Sequence, residues 1–181
     1  MTPMGRIQFD HIHTPDTQRI GKEGAGLAMV QAFLGEARLL QAAMALGIAQ
    51  GALDRTVSYA AKREQFSRKI ASFETIQHKM AEMATKLEAA RQLTYQTAQS
   101  FGSKTWKKEG PLLSCMATQT ACQVAEEVAD EAIQIHGGYG YMQEGEVEHF
   151  YRDAKYLKLF YSNPNQRNRQ IAASLIKGAK P

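Results

Sequence analysis

The chain is poor in the residues that staple or interrupt a fold. Its 181 residues include two cysteines, one tryptophan and five prolines. Cys115 and Cys122 lie seven residues apart in a helical pattern, which separates them by ~10 Å along one face. A disulfide needs Cα atoms within ~7 Å, so both read as small buried hydrophobes. No uninterrupted apolar run approaches the ~18 residues that span a bilayer, and the N-terminus lacks an apolar signal core. These absences predict a soluble, cytoplasmic protein with no membrane partner. The 22 basic and 18 acidic side chains, net +4, are spread along the chain with no basic run interleaved with aromatics. That distribution argues against nucleic acid and is compatible with an anionic ligand. His11 and His13 have no third ligand at a useful spacing, so no metal site is expected. There are no internal repeats, and the length with 44% apolar content supports one buried core.

What the sequence does contain is helical periodicity. Arg6 to Ile12 alternates with period two and reads as one short strand with nothing to pair with. After Gly21 to Gly26, the residues Leu27, Val30, Leu34, Ala37, Met44 and Ile48 recur at helical steps, and Leu39, Leu46, Leu53 and Val57 form a second stripe. No proline interrupts before Phe66, so one helix of nearly forty residues is predicted. A second run starts after Ser72, a plausible N-cap, with Phe73, Ile76, Met80, Met83, Leu87 and Ala90 spaced alternately by three and four. Phe101 to Gly110 reads as a polar loop, with Pro111 in the first turn of a third helix. That helix has Met116 or Ala117, Ala121, Val124, Val128, Ala132 and Ile135 as its apolar face. A shorter helix carries Val147, Tyr151, Ala154 and Leu157 or Lys158, and a last one runs from about Gln166 to Lys177. The predicted fold is all-α: an up-down four-helix bundle over 26–177, an extra short C-terminal helix, an extended segment and linker over 1–25, and a tail over 178–181.

The most informative stretch is Gln134-Ile-His-Gly-Gly-Tyr-Gly140, which ends the third helix in glycines. Gly137, Gly138 and Gly140 strip side chains from one patch of backbone and permit close approach of a flat or phosphorylated ligand. A glycine pair after a helix is also an ordinary C-cap, so the neighbouring motifs decide.

Those motifs are Arg63-Glu-Gln-Phe66, Gln134 to Gly140, Tyr151-Arg-Asp-Ala-Lys155, and Phe160-Tyr161 leading to Gln166 and Arg169. In this order and spacing they resemble the C-terminal helical domain of the flavin-dependent acyl-CoA dehydrogenases, from about residue 7 to residue 176. The resemblance implies that residues 6–26 are the closing strand and linker of a middle β-domain, with the front domains absent. It also implies FAD held between that β-domain and the bundle, and tetramer packing through the helices. Arg63, Gln65, Phe66, Gln134, Gly137, Gly138 and Gln166 fall on the family's FAD positions. Arg38 falls on its arginine near the acyl-CoA.

The departures concern the base. The family removes the α-proton of an acyl thioester with a carboxylate while the β-hydride leaves to the flavin. The usual Tyr-Glu-Gly-Thr motif reads here Tyr161-Ser-Asn-Pro164, placing Ser162 at the glutamate. The alternative base position, next to the arginine on the first helix, is Ala37. Glu36 is one residue away, rotated by ~100°. Gly35, Ser67, Glu74 and Pro164 are further departures at substrate or cofactor positions. Three readings follow: a C-terminal portion contributing FAD and subunit contacts to an enzyme of acyl-thioester desaturation; a non-catalytic partner in a homo- or hetero-oligomer; and a freestanding helical binding module.

Overall fold

The computed structural model describes residues 5–161 and 163–178. Residues 5–25 form no strand; apart from a short turn over Asp16–Gln18 they are irregular, and Ile7, Phe9, Ile12 and Ile20 are exposed. Six helices follow: α1 (Gly26–Lys62), α2 (Glu74–Gln99), α3 (Lys104–His136), α4 (Gly138–Tyr141), α5 (Glu148–Leu159) and α6 (Pro164–Gly178). Between α1 and α2 lies a hairpin, β1 (Glu64–Gln65) and β2 (Arg68–Lys69).

Contacts fix the directions of the helices. Arg38 meets Cys115, and Tyr59 meets His136, so α1 and α3 run parallel. Lys79 pairs with Glu131 and Lys86 with Glu127, which makes α2 antiparallel to α3. Lys155 and Lys158 of α5 both reach Glu126; Gln41 donates to the Leu157 carbonyl at 2.5 Å while Gly51, further along α1, lies against the Phe150 ring, so α5 runs against α1 and hence against α3. The result is an up-down bundle of α1, α2, α3 and α5, with α6 laid on α3.

The core between α1 and α3 is built from alanine. Ala42, Ala45, Ala49, Ala52 and Ala60 face Ala117, Ala121, Ala125, Ala129 and Ala132, all fully buried. Small side chains let two helix axes approach closely, so the most extensive contact in the molecule is α1 on α3. This corrects part of the expected α1 face: Ala37, Leu46 and Leu53 are buried as expected, but Leu27, Val30, Met44 and Val57 are exposed, because the alanine face is the one that fits α3. On α2, Met83, Leu87 and Ala90 are buried as the periodicity requires, and on α3 so are Ala117, Ala121, Val124, Val128, Ala132 and Ile135.

Two boundaries differ from expectation. Ser72 does not cap α2; its hydroxyl donates to the Lys69 carbonyl, and Phe73 is the N-cap residue. The third helix starts at Lys104, where Ser103 accepts from the Trp106 amide at 3.1 Å, so Pro111 lies inside it. Gly110 lies inside the helix with the Trp106 ring packed where a side chain would stand; a Cβ there would lie 2.6 Å from the ring. By length and composition α1 is apolar enough to cross a membrane, with a mean hydropathy of 1.3 over its best window, 44% of which is buried inside the bundle. Averaged hydropathy admits polar interruptions, here Arg38 and Gln41, that an uninterrupted run does not. Both cysteines are free and buried.

Candidate functional site

The site starts where α1 stops. Arg63 turns to φ −69°, ψ 131° while its amide still bonds the Tyr59 carbonyl at 2.8 Å. The chain then reverses through a two-residue turn in which Phe66 (φ 53°) and Ser67 (φ 61°) both lie in the left-handed region. Positive φ at both positions matches the right-handed twist of a tight hairpin. The Ile70 amide bonds the Arg63 carbonyl at 2.9 Å, and Lys69 pairs with Glu64 at 2.7 Å, closing the loop. Phe66 projects from the tip, 89% exposed, with its ring edge-on to Phe73 at 6.3 Å.

Opposite, α3 ends at His136 and Gly137 reverses the chain at φ 60°, ψ −137°, its amide bonding the Gln134 carbonyl at 3.2 Å. The following turn folds back so tightly that a Cβ on Gly140 would stand 2.6 Å from the Ile133 carbonyl oxygen. Gly140 is therefore a packing requirement. At Gly137 and Gly138 nothing lies within 4 Å of the space a side chain would take.

Between these two chain ends is a cavity of about 620 Å³ lined by Arg63 and Gln65 on one side and by Gly137, Gly138 and Tyr139 on the other, with Tyr59 and His136 on its walls. Arg63 has no carboxylate partner among the described residues; its guanidinium rests 5.3 Å from the centre of the Tyr139 ring. Tyr59 stacks on His136 with centroids 4.2 Å apart and 21° between planes. His136 Nδ1 lies 2.7 Å from the Ala132 carbonyl, which can only accept, so Nδ1 carries the proton. Burial pushes the His136 pKa below its ordinary value, against the upward pull of that hydrogen bond.

Four of the expected cofactor positions thus meet in one cavity: Arg63, Gln65, Gly137 and Gly138. Phe66 stands beside it on the hairpin. Gln134 is exposed on the last turn of α3 and its side chain does not line the cavity. Gln166 is exposed on the first turn of α6, its amide bonded to Asn163 Oδ1 at 2.9 Å, and is not part of the cavity either. Tyr59 and His136 went unread in the sequence, although Tyr59 sits four residues before Arg63 and so shares its face.

Arg38 lines a different cavity, of about 460 Å³, between α1, α3 and α6. It is 4% exposed, and its Nη1 donates to Cys115 Sγ at 3.1 Å. Ala37 is 3% exposed, while Glu36 faces solvent. Glu74 is exposed and within ion-pair reach of His78 at 3.6 Å. Ser162 lies outside the described residues. No carboxylate among the described residues lines either cavity, and no group of three metal-ligating side chains occurs among them.

Residues 24–176 match the family model of the acyl-CoA dehydrogenase C-terminal domain. The chain belongs to the acyl-CoA dehydrogenase family. It is 36% identical over 171 residues to subunit CarC of the caffeyl-CoA reductase-Etf complex of Acetobacterium woodii, covering 94% of this chain and 44% of that protein. An acyl-CoA dehydrogenase of Bacillus subtilis is 41% identical over 172 residues, again covering 94% and 44%. The butyryl-CoA dehydrogenase structure from Megasphaera elsdenii superposes with a TM-score of 0.82 at 35% identity, covering 86% of this chain and 40% of that one. The chain spans less than half the length of the relatives it matches. Acyl-CoA dehydrogenases are flavoproteins that use FAD.

Proposed function

We propose that this bundle is the cofactor-facing, subunit-organising domain of a flavin-dependent oxidoreductase acting on an acyl thioester. The observation that carries the reading is the convergence of Arg63, Gln65, Gly137 and Gly138 on one cavity from chain segments some seventy residues apart. These residues fit FAD. Arg63 offers a planar fork free of any described carboxylate, suited to a pyrophosphate. Gly137 and Gly138 offer bare backbone with open space in front of it, and Tyr139 adds an aromatic face 54% exposed. When bound, FAD would accept the hydride from the thioester's β-carbon.

The described residues that line the two cavities offer binding and orienting groups and no carboxylate base. Ala37 has no titratable group, and Glu36 points away from the Arg38 cavity into solvent. At Ser162 a hydroxyl is too weak an acid-base group to take an α-proton without a partner. The base therefore comes from another chain segment or subunit. This favours a homo- or hetero-oligomeric assembly in which the domain contributes FAD contacts beside a catalytically complete partner. The exposed apolar residues of α1 supply a surface for such packing. The reading is tested by titrating FAD into the chain mixed with a complete family member lacking its flavin. Flavin uptake and thioester desaturation should rise with the wild-type chain and fall at least about tenfold with Arg63→Gln, as loss of a charged pyrophosphate contact requires. An unchanged response to Arg63→Gln would refute it.

A further inference from the structure

The Arg38 cavity holds an unsolved electrostatic problem. Arg38 is 4% exposed, and among the described residues its Nη1 has the Cys115 sulfur as its one partner and its Nε has no hydrogen-bond partner. A buried guanidinium is costly to leave without an anion or full hydrogen bonding. Cys115 does not supply the anion: its thiol donates to Gln170 Oε1 at 3.1 Å, and burial raises its pKa against the pull of Arg38 and Arg167. No carboxylate among the described residues lines the cavity, and Lys177 adds a second positive charge to it. The remaining wall is mixed, with Leu34, Leu112 and Ala173 giving it an apolar side.

We propose that this cavity binds a small organic carboxylate, its oxygens on the Arg38 guanidinium and its short hydrocarbon tail against Leu34 and Leu112. A carboxylate matches the planar fork, and the volume of about 460 Å³ is within the range of small-molecule sites. The apolar wall selects an organic acid over an inorganic anion. The cavity shares no lining residue with the one that holds Arg63, so the proposal stands apart from the flavin reading and fails separately from it.

The experiment titrates the full ¹⁵N-labelled chain with butyrate, following the arginine Nε–H signals by NMR and the heat by calorimetry. The comparison probes are inorganic phosphate and butyryl-pantetheine, which has the same acyl group but no free carboxylate. Butyrate should bind one to one at roughly millimolar affinity and move the Arg38 Nε–H signal. Ala173→Phe, an exposed position on α6, should leave the helical melt intact and weaken butyrate at least about tenfold by filling the cavity. Lys177→Gln should weaken it less and reduce its salt dependence. Four results overturn the proposal: no saturable butyrate binding, equal binding of phosphate, displacement of butyrate by butyryl-pantetheine, or a folded Ala173→Phe chain with unchanged affinity. Because Ala173→Phe carries the test, it does not depend on an Arg38 variant that fails to fold.

Discussion

Ser67 holds a φ of 61° that L-residues tolerate poorly, and it does so beside Phe66 at 53°. The left-handed conformation costs a non-glycine residue about 1 kcal/mol, while glycine gives back part of that through its freer unfolded chain. Ser67→Gly should therefore stabilise the chain by roughly 0.5 kcal/mol in urea denaturation; a loss of stability would show that the serine is held by something other than the turn. His136 sets a pH dependence. Its folded pKa lies below the ordinary 6.5 because burial disfavours the charged ring, so the unfolded chain binds that proton first. Its contribution is intact above about pH 6.5 and is lost as pH falls from there towards the depressed folded value. The paired carboxylate Glu127, lowered from 4.5 first by its hydrogen bonds to Gln123 and Lys86, acts only further down. Stability measured from pH 7 to 5 should fall for the wild type and be flatter for His136→Phe, which keeps a ring against Tyr59. Equal slopes would exclude His136 as the cause. At this scale the sequence is legible where a residue type has few chemical uses: Arg63, Gly137 and Gly138 line one cavity as their grouping implies, whereas the stacking of Tyr59 on His136 joins residues seventy-seven apart and is written in no local spacing except the four-residue step from Tyr59 to Arg63.

At the scale of elements, long stripes were readable and short-range competition was not. The α2 seam of Met83, Leu87 and Ala90 is buried as its three-and-four spacing requires. On α1 the two stripes are half right: Ala37, Leu46 and Leu53 are buried while Leu27, Val30, Met44 and Val57 are exposed, because the contact with α3 is set by how closely two alanine faces can approach. The start of α3 is hidden by Pro111 and Gly110, which suit a helix start better than an interior; Ser103 caps the helix eight residues before Pro111, and Gly110 makes room for the Trp106 ring. The glycine cluster was legible as a helix end, but its three glycines divide the work. Gly140 lets α4 pack on the α3 backbone, so Gly140→Ala, with its Cβ 2.6 Å from the Ile133 carbonyl oxygen, should cost about 2 kcal/mol or more. Gly138→Ala should be nearly neutral, since nothing lies within 4 Å of the added methyl group. Thermal melts of the two variants give the comparison, and equal losses would mean that the turn, rather than the close approach, sets the requirement.

At the scale of the whole molecule, family and fold were readable from four motifs in register, and the source of the base was not. Ser162 stands at the family's base position and Ala37 at its alternative, and no carboxylate among the described residues lines either cavity. Leu27, Val30, Leu40 and Met44 are exposed along α1, more apolar surface than an isolated helix face usually leaves in water. Sedimentation of the purified chain should show dimers or larger species; a monomer at every concentration would remove the support for an assembly through α1. The central claim, that Arg63, Gly137 and Gly138 form one wall of a flavin site, is met most directly by following the chain's amide and arginine signals in NMR as FAD is added. Saturable shifts of Gly137, Gly138 and the Arg63 Nε–H, absent in Arg63→Gln, are the predicted result. Shifts confined to other parts of the bundle, or none at saturating FAD, would contradict it.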